Sequence, residues 1–130
     1  MIAGVGLDVV ELERVDRLLA GSAGSRFMAR VLTAAERDRC RERAGRRLLE
    51  FVAGRFAAKE AVVKALGCGI GAAVGFLDIE VLPDASGRPE CRLSPEAWAR
   101  LGLEEERHHL HVAITHERSL AAATAIVERL

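Results

Sequence analysis

The stretch FVAGRFAAKEAVVKALGCGIG, Phe51–Gly71, decides how this chain is built. At about 100° per residue, Leu48, Val52, Phe56, Val63 and Leu66 line one side of a helix. Gly54, Ala57, Ala58, Ala61 and Ala65 form the other side, small enough for a backbone or a ligand to lie close. Apolar on one face and small on the other, the segment reads as a buried helix from about Arg46 to Leu66, ending at Gly67. Yet it carries Arg55, Lys59, Glu60 and Lys64. Burying an unpaired charge costs several kcal/mol, so these four are the first candidates for function.

Around that helix the pattern alternates. Ile2–Leu7 reads as a buried strand, followed by a helical run through Leu12, Val15, Leu18 and Leu19 that stops near Gly21. Phe27–Leu32 and Ala34–Arg43 are helical, the second opened by a capping box of Thr33 and Glu36. Gly67, Gly69, Gly71 and Gly75 make a loop. Phe76–Leu82 and Glu90–Leu93 read as strands about a Pro83–Pro89 turn. Ser94-Pro95 starts a short helix to about Leu101, and Glu104–Arg107 is a loop. His111–Thr115 and Leu120–Val127 close the chain as a hairpin around Glu117-Arg118. Residues 1–130 are expected to form one α+β domain, a long central helix packed on a small, mainly antiparallel sheet.

Half of the 130 residues are hydrophobic, but aromatics are 4% and Tyr is absent, which demands an aliphatic core. No apolar run approaches the roughly 18 residues of a membrane span, and the N-terminus lacks the pattern of a signal peptide. Cys40, Cys68 and Cys91 fit neither a disulfide framework nor a zinc site, so a cytoplasmic location is expected. The formal charge of zero hides an asymmetry: Arg14–Arg55 holds eleven arginines against five acids. Such a region suits an acidic partner or phosphates. With little aromatic interleaving for base stacking, neither nucleic acid nor membrane is expected as a partner.

Asp8 has two readings: a capping box with Glu11, or a carboxylate at a strand end, where ligands sit. Glu60 and Lys64, four apart, either pair with each other or serve a phosphate with its Mg²⁺. In the second reading the acid binds the hard metal, the ammonium meets phosphate oxygens, and the glycine loop admits the ligand. His111 shares a strand face with Ala113 and Thr115; His116 is the weaker candidate, and nothing is assigned to His108 or His109.

Together, GVGLDVVELERV at Gly4–Val15, GRFAAKEAVVKALGCGIG at Gly54–Gly71 and HVAITHERSLAAATAIV at His111–Val127 resemble the small bacterial holo-[acyl-carrier-protein] synthase family of 4′-phosphopantetheinyl transferases. The likeness is collinear over nearly the whole chain and includes the Gly87-Arg88-Pro89 turn. It implies the 4′-phosphopantetheinyl transferase fold. It also implies Mg²⁺-dependent transfer of phosphopantetheine from coenzyme A to a serine of an apo acyl carrier protein, as in fatty acid biosynthesis. By matching position, Asp8 and Glu60 become Mg²⁺ ligands, and Lys64 lies near the transferred phosphate. Coenzyme A is expected at Gly67, Cys68, Gly69, His111 and Thr115. Arg55 and Lys59 join that set, although Lys59 has a second reading, snorkelling into a subunit interface. Arg14, with Arg26 and Phe27, is expected to dock the carrier's acidic helix. The serine proton has three acceptors open to it: Glu60, a water near Asp8, or His111. Small members are homotrimers with sites between protomers. Ala113 and Cys68 depart from the family's usual Ser and Thr or Ser.

Overall fold

The computed structural model describes all residues, Met1–Leu130. The first strand, β1 (Ile2–Glu11), leads into three short helices, α1 (Leu12–Ala20), α2 (Gly24–Val31) and α3 (Ala34–Cys40), and then the long α4 (Gly45–Ala65). A 3₁₀ turn at Phe76–Asp78 precedes the hairpin of β2 (Ile79–Pro83) and β3 (Pro89–Leu93). After α5 (Pro95–Leu101) and a second 3₁₀ turn at Glu105–Arg107 come β4 (His108–His116) and β5 (Leu120–Arg129). The main sheet is antiparallel in the order β1-β5-β4, and β2-β3 is a separate two-stranded sheet. The α+β class, the central helix and the closing hairpin are as the sequence predicts.

α4 is buried on both sides, which is why its periodicity shows two non-polar faces. Its small face lies on the main sheet, where β1 has no side chains in the way at Gly4 and Gly6. A Cβ on Gly6 would fall 1.9 Å from the Ala61 carbonyl oxygen, and one on Gly4 1.8 Å from that of Ala65. The neighbour of the small face is therefore a strand backbone, not a ligand. On the other side, Phe56 packs between Phe27 and Phe76, with ring centroids 6.3 and 5.6 Å away. The rest of the core is aliphatic, including Leu12, Val15, Leu32, Val52, Val62, Ile79 and Val81. Past Ala65 the chain turns through Gly67 at φ +80°. Gly67 N–H donates to Lys64 O and Cys68 N–H to Val63 O, a Schellman ending that requires the left-handed glycine.

Two local expectations fail. β1 does not end at Leu7: its register with β5 continues through Asp8↔Ala123 to Glu11↔Leu120. The ladder holds Asp8 in a strand, so no Asp8–Glu11 capping box forms; Glu11 caps α1 without a side-chain bond, and Leu12 N–H donates to Ser119 O instead. Second, Phe76–Asp78 is a 3₁₀ turn rather than strand, because the Asp78 carboxylate accepts from Gly75 N–H at 2.8 Å and curls the chain. The Thr33–Glu36 capping box is present with both of its bonds.

Candidate active site

Alternation along the strands sorts the candidate residues onto two faces of the main sheet. Gly4, Gly6, Asp8 and Val10 of β1 face α4, together with alternate alanines of β5. Asp8 thus comes against the helix where Glu60 and Lys64 emerge at its flank. Lys64 Nζ donates to Asp8 Oδ1 at 3.0 Å and to Leu7 O at 3.0 Å. The pairing within the helix, Glu60 to Lys64, does not form: the lysine spans to β1, and Glu60 is left without an ion-pair partner. Burial pushes the Glu60 carboxyl above its usual range, and the charge of Asp8 adds to this, with Lys64 and Arg14 pulling the other way. Two carboxylates and the Lys64 ammonium therefore share one partly exposed centre, with the charge of exposed Arg14 felt from its rim. No cluster of three or more acidic, His or Cys side chains cages a metal here. Mg²⁺ does not need one, since it is usually held by one or two carboxylates plus substrate phosphates and water. Asp8 and Glu60, like charges set side by side with one unpaired, fit that donor set.

The opposite flank of α4 holds a second site. Arg43, Arg47, Glu50, Arg55 and His116 line a cavity of about 290 Å³, floored by Phe51 and closed by Gly87 and Pro89 of the β2-β3 hairpin. The guanidinium carbons of Arg43 and Arg55 sit 4.2 and 4.0 Å from the centre of the Phe51 ring. Arg55 Nε also donates to Val81 O at 3.1 Å. Burial, together with Arg43 and Arg39 and against the pull of Glu36 and Cys40, lowers Arg55 to about 10, so it keeps its charge at neutral pH. The carboxylate lining this cavity, Glu50, contacts Arg46 at 3.0 Å and His116 Nδ1 at 3.2 Å. Crowded arginines facing one open cavity make an anion site. Arg55 was anticipated, and His116 only as the weaker histidine candidate; Arg43 and Arg47 were not. The signal available was the run of arginines before Phe51, but the hairpin that turns them into a pocket lies more than thirty residues on.

Other assignments are redistributed. Lys59 cannot touch a ligand: its side chain is 0% exposed and its ammonium bonds Glu36, Val31 O and Phe76 O. Burial lowers its proton affinity, and Glu36 opposes this. Phe27 is buried against Phe56, so it anchors α2 rather than offering a docking surface; Arg14 and Arg26 are exposed. His111 and Thr115 lie on the outer face of the sheet, away from Asp8 in the same chain, and His111 Nε2 is 2.9 Å from Glu128 Oε1. Gly67 and Gly69 are exposed where α4 ends, one turn beyond Lys64; Cys68 between them is half-buried, its thiol pushed up by burial.

Likeness to known proteins places the chain in one class of phosphoryl-transfer protein. Residues 4–125 match the family model of the 4′-phosphopantetheinyl transferase superfamily, and the chain belongs to that superfamily. Within it, the chain is 45% identical over 128 residues to a protein of Bacillus cereus (strain B4264) named holo-[acyl-carrier-protein] synthase, covering 98% of this chain and 97% of that one. Its fold matches the crystal structure of a holo-(acyl-carrier-protein) synthase from Bacillus anthracis in complex with CoA (3′,5′-ADP), at TM-score 0.85 and 42% identity, over 100% and 99% of the two chains. The Helicobacter pylori holo-[acyl-carrier-protein] synthase in complex with coenzyme A matches at TM-score 0.81 and 29% identity, over 95% and 99%.

Proposed function

We propose that this chain transfers the 4′-phosphopantetheine moiety of coenzyme A to a serine of an apo acyl carrier protein, releasing adenosine 3′,5′-bisphosphate. The observation that carries the reading is the meeting of Asp8 from β1 with Glu60 and Lys64 from α4, in a chain alike from end to end to synthases of that name. Asp8 and Glu60 are the residues to hold Mg²⁺, which when bound would neutralise pyrophosphate charge. The Lys64 ammonium, tethered by Asp8 and half-exposed, faces the same charge. Phosphoryl transfer needs such positioning and neutralisation more than covalent help. The serine proton passes to Glu60 or to a water beside Asp8; His111 reaches this centre only from a second copy.

A second copy is also what completes the substrate site. Arg55 and Glu60 are five residues apart, about 140° around the helix. The anion pocket opens at the β4 edge of the sheet, and the carboxylates open at the β1 edge, with buried α4 between them. One protomer's carboxylates and its neighbour's arginine pocket together hold coenzyme A. The outer sheet face supports the association: Val5, Leu7 and Val9 are 63%, 57% and 53% exposed beside Ala122 and Ile126, and exposed apolar side chains grouped on one face mark an interaction surface. The resemblance to the family's small members supports three copies. Three free thiols suit a reducing, cytoplasmic setting, and the resemblance implies the carrier of fatty acid synthesis as substrate.

Complementation tests the arrangement. Glu60→Gln and Arg55→Ala proteins are each expected to lose Mg²⁺-dependent conversion of apo carrier, read by intact mass. Mixed one to one through unfolding and refolding, they should regain about a quarter of wild-type sites, those pairing an intact Glu60 with a neighbour's intact Arg55. No recovery would refute a shared site, and near-normal turnover by Glu60→Gln would refute the metal assignment.

A further inference from the structure

The most deeply buried charges in the molecule take no part in the chemistry above. Lys59 and Glu36 are both 0% exposed and 2.7 Å apart. The ammonium has three donors and three acceptors: Glu36 Oε1 at 2.7 Å, Val31 O at 2.6 Å and Phe76 O at 3.0 Å. The carboxylate is as fully used, taking Thr33 N–H on Oε1 at 2.8 Å and Val81 N–H on Oε2 at 2.7 Å. One pair therefore joins α4 to the last residue of α2, the start of α3, the 3₁₀ turn and β2. Such a pair contributes little net stability over an apolar filling of the same volume, because desolvation offsets the attraction. What it adds is direction, since each acceptor must lie where a donor points.

We infer that the Lys59–Glu36 pair is a positioning device that sets the carrier-docking helices against the Asp8–Glu60 centre. Lys59 and Glu60 are consecutive, so the helix turn that aims Glu60 at the centre aims Lys59 at α2. Two contacts tie that helix to α4 at its two ends: Phe27 packs on Phe56 near its start, and Val31 O accepts from Lys59 at its end. With both contacts α2 has one orientation, and exposed Arg26 is held in a set place relative to Glu60. Without the second contact the Val31 end of α2 is released, and the helix tilts and rolls on Phe27, turning the neighbouring Arg26 side chain while the metal and phosphate groups stay where they are. This inference rests on the reading of Arg14 and Arg26 as the carrier-docking surface.

Lys59→Met keeps the stem and removes the donors. In the folded, oligomeric variant the KM for apo carrier should rise about tenfold, with coenzyme A binding by calorimetry unchanged within about twofold. The discriminating measurement is a cycle with Arg26→Ala. If Lys59 acts through Arg26, the double variant's carrier KM matches that of the worse single variant. A purely structural role lowers the melting temperature and leaves the effects multiplicative. Should Lys59→Met fail to fold, Glu36→Gln, which keeps an acceptor and the side-chain volume, takes its place in the same cycle. An unchanged carrier KM, equal losses for both substrates, or multiplicative effects would each overturn the inference. Wild-type protein unable to modify any apo carrier would instead overturn the function on which it rests.

Discussion

Replacing Gly6 by alanine tests how the reactive centre is assembled. Gly6 lies on the helix-facing side of β1, two residues before Asp8, and the space for its missing side chain is filled by α4 backbone. An added Cβ would stand 1.9 Å from the Ala61 carbonyl oxygen and 2.9 Å from Ala65 N. Neither is the end of a side chain that could swing away. To reach the 3.0 Å that such contacts rarely breach, the strand must back off by about 1.1 Å. Overpacking of this kind costs about 1–3 kcal/mol, and in a chain of this length each kcal/mol lowers Tm by about 3–5 °C. The catalytic loss should be larger than the stability loss, because Asp8 travels with Gly6 while Glu60 stays with Ala61. A misplacement of about 1 Å at a reacting centre costs on the order of a hundredfold in rate. Thermal unfolding by circular dichroism gives the first quantity, and the initial rate of apo-carrier modification by intact mass gives the second. Gly71→Ala, whose Cβ would meet nothing within 4 Å, is the stability control. A Gly6→Ala protein that melts with wild type and keeps its rate would show that the contact of β1 with α4 does not place Asp8.

Other outcomes follow from the same geometry. Arg14→Ala should raise the KM for carrier and leave that for coenzyme A nearly unchanged, since an exposed rim charge guides a partner rather than holding the small substrate; an unchanged carrier KM would remove Arg14 from the docking surface. Leu7→Asp, on the exposed sheet face, should yield monomers by sedimentation and abolish transfer, and a trimer that survives it would place the interface elsewhere. Burial alone would raise Asp78, but the Gly75 N–H, the Ser94 hydroxyl and Arg100 outweigh it and hold the carboxyl below its ordinary range. The folded state therefore binds that proton less tightly than the unfolded chain. The resulting stability is present at neutral pH and is lost as pH falls through the lowered value. Urea unfolding from neutral pH down to about 3 should show a shallower acid loss in Asp78→Asn; identical slopes would discount the carboxylate.

The elements legible beforehand are those whose signal is local. The two faces of α4, the Thr33–Glu36 cap and the Gly67 stop each lie within a few residues, and all three are present as read. Asp8 misled as a cap because a short motif was read without the strand that pairs beside it: nine consecutive partners on β5 carry β1 to Glu11. Lys59 and Phe27 misled for a related reason. Lys59 meets the end of α2, the start of α3 and the 3₁₀ turn, and Phe27 meets Phe56 of α4, partners distant in sequence from each, and burial decides what a side chain can touch.

By itself the sequence determined the helix, the class of fold and the residues proposed for phosphoryl chemistry, since periodicity and residue type are properties of the chain alone. Tertiary structure decided which of four charges on α4 are placed for the proposed chemistry. Glu60 and Lys64 reach an open centre because β1 presents Asp8 to their flank, and Lys59 is spent on Glu36 in the interior. Arg55 is turned about 140° from Glu60 toward a pocket that the hairpin closes. The physical reason is that a charge acts according to its desolvation and its partners, and both are set by elements brought together across the fold.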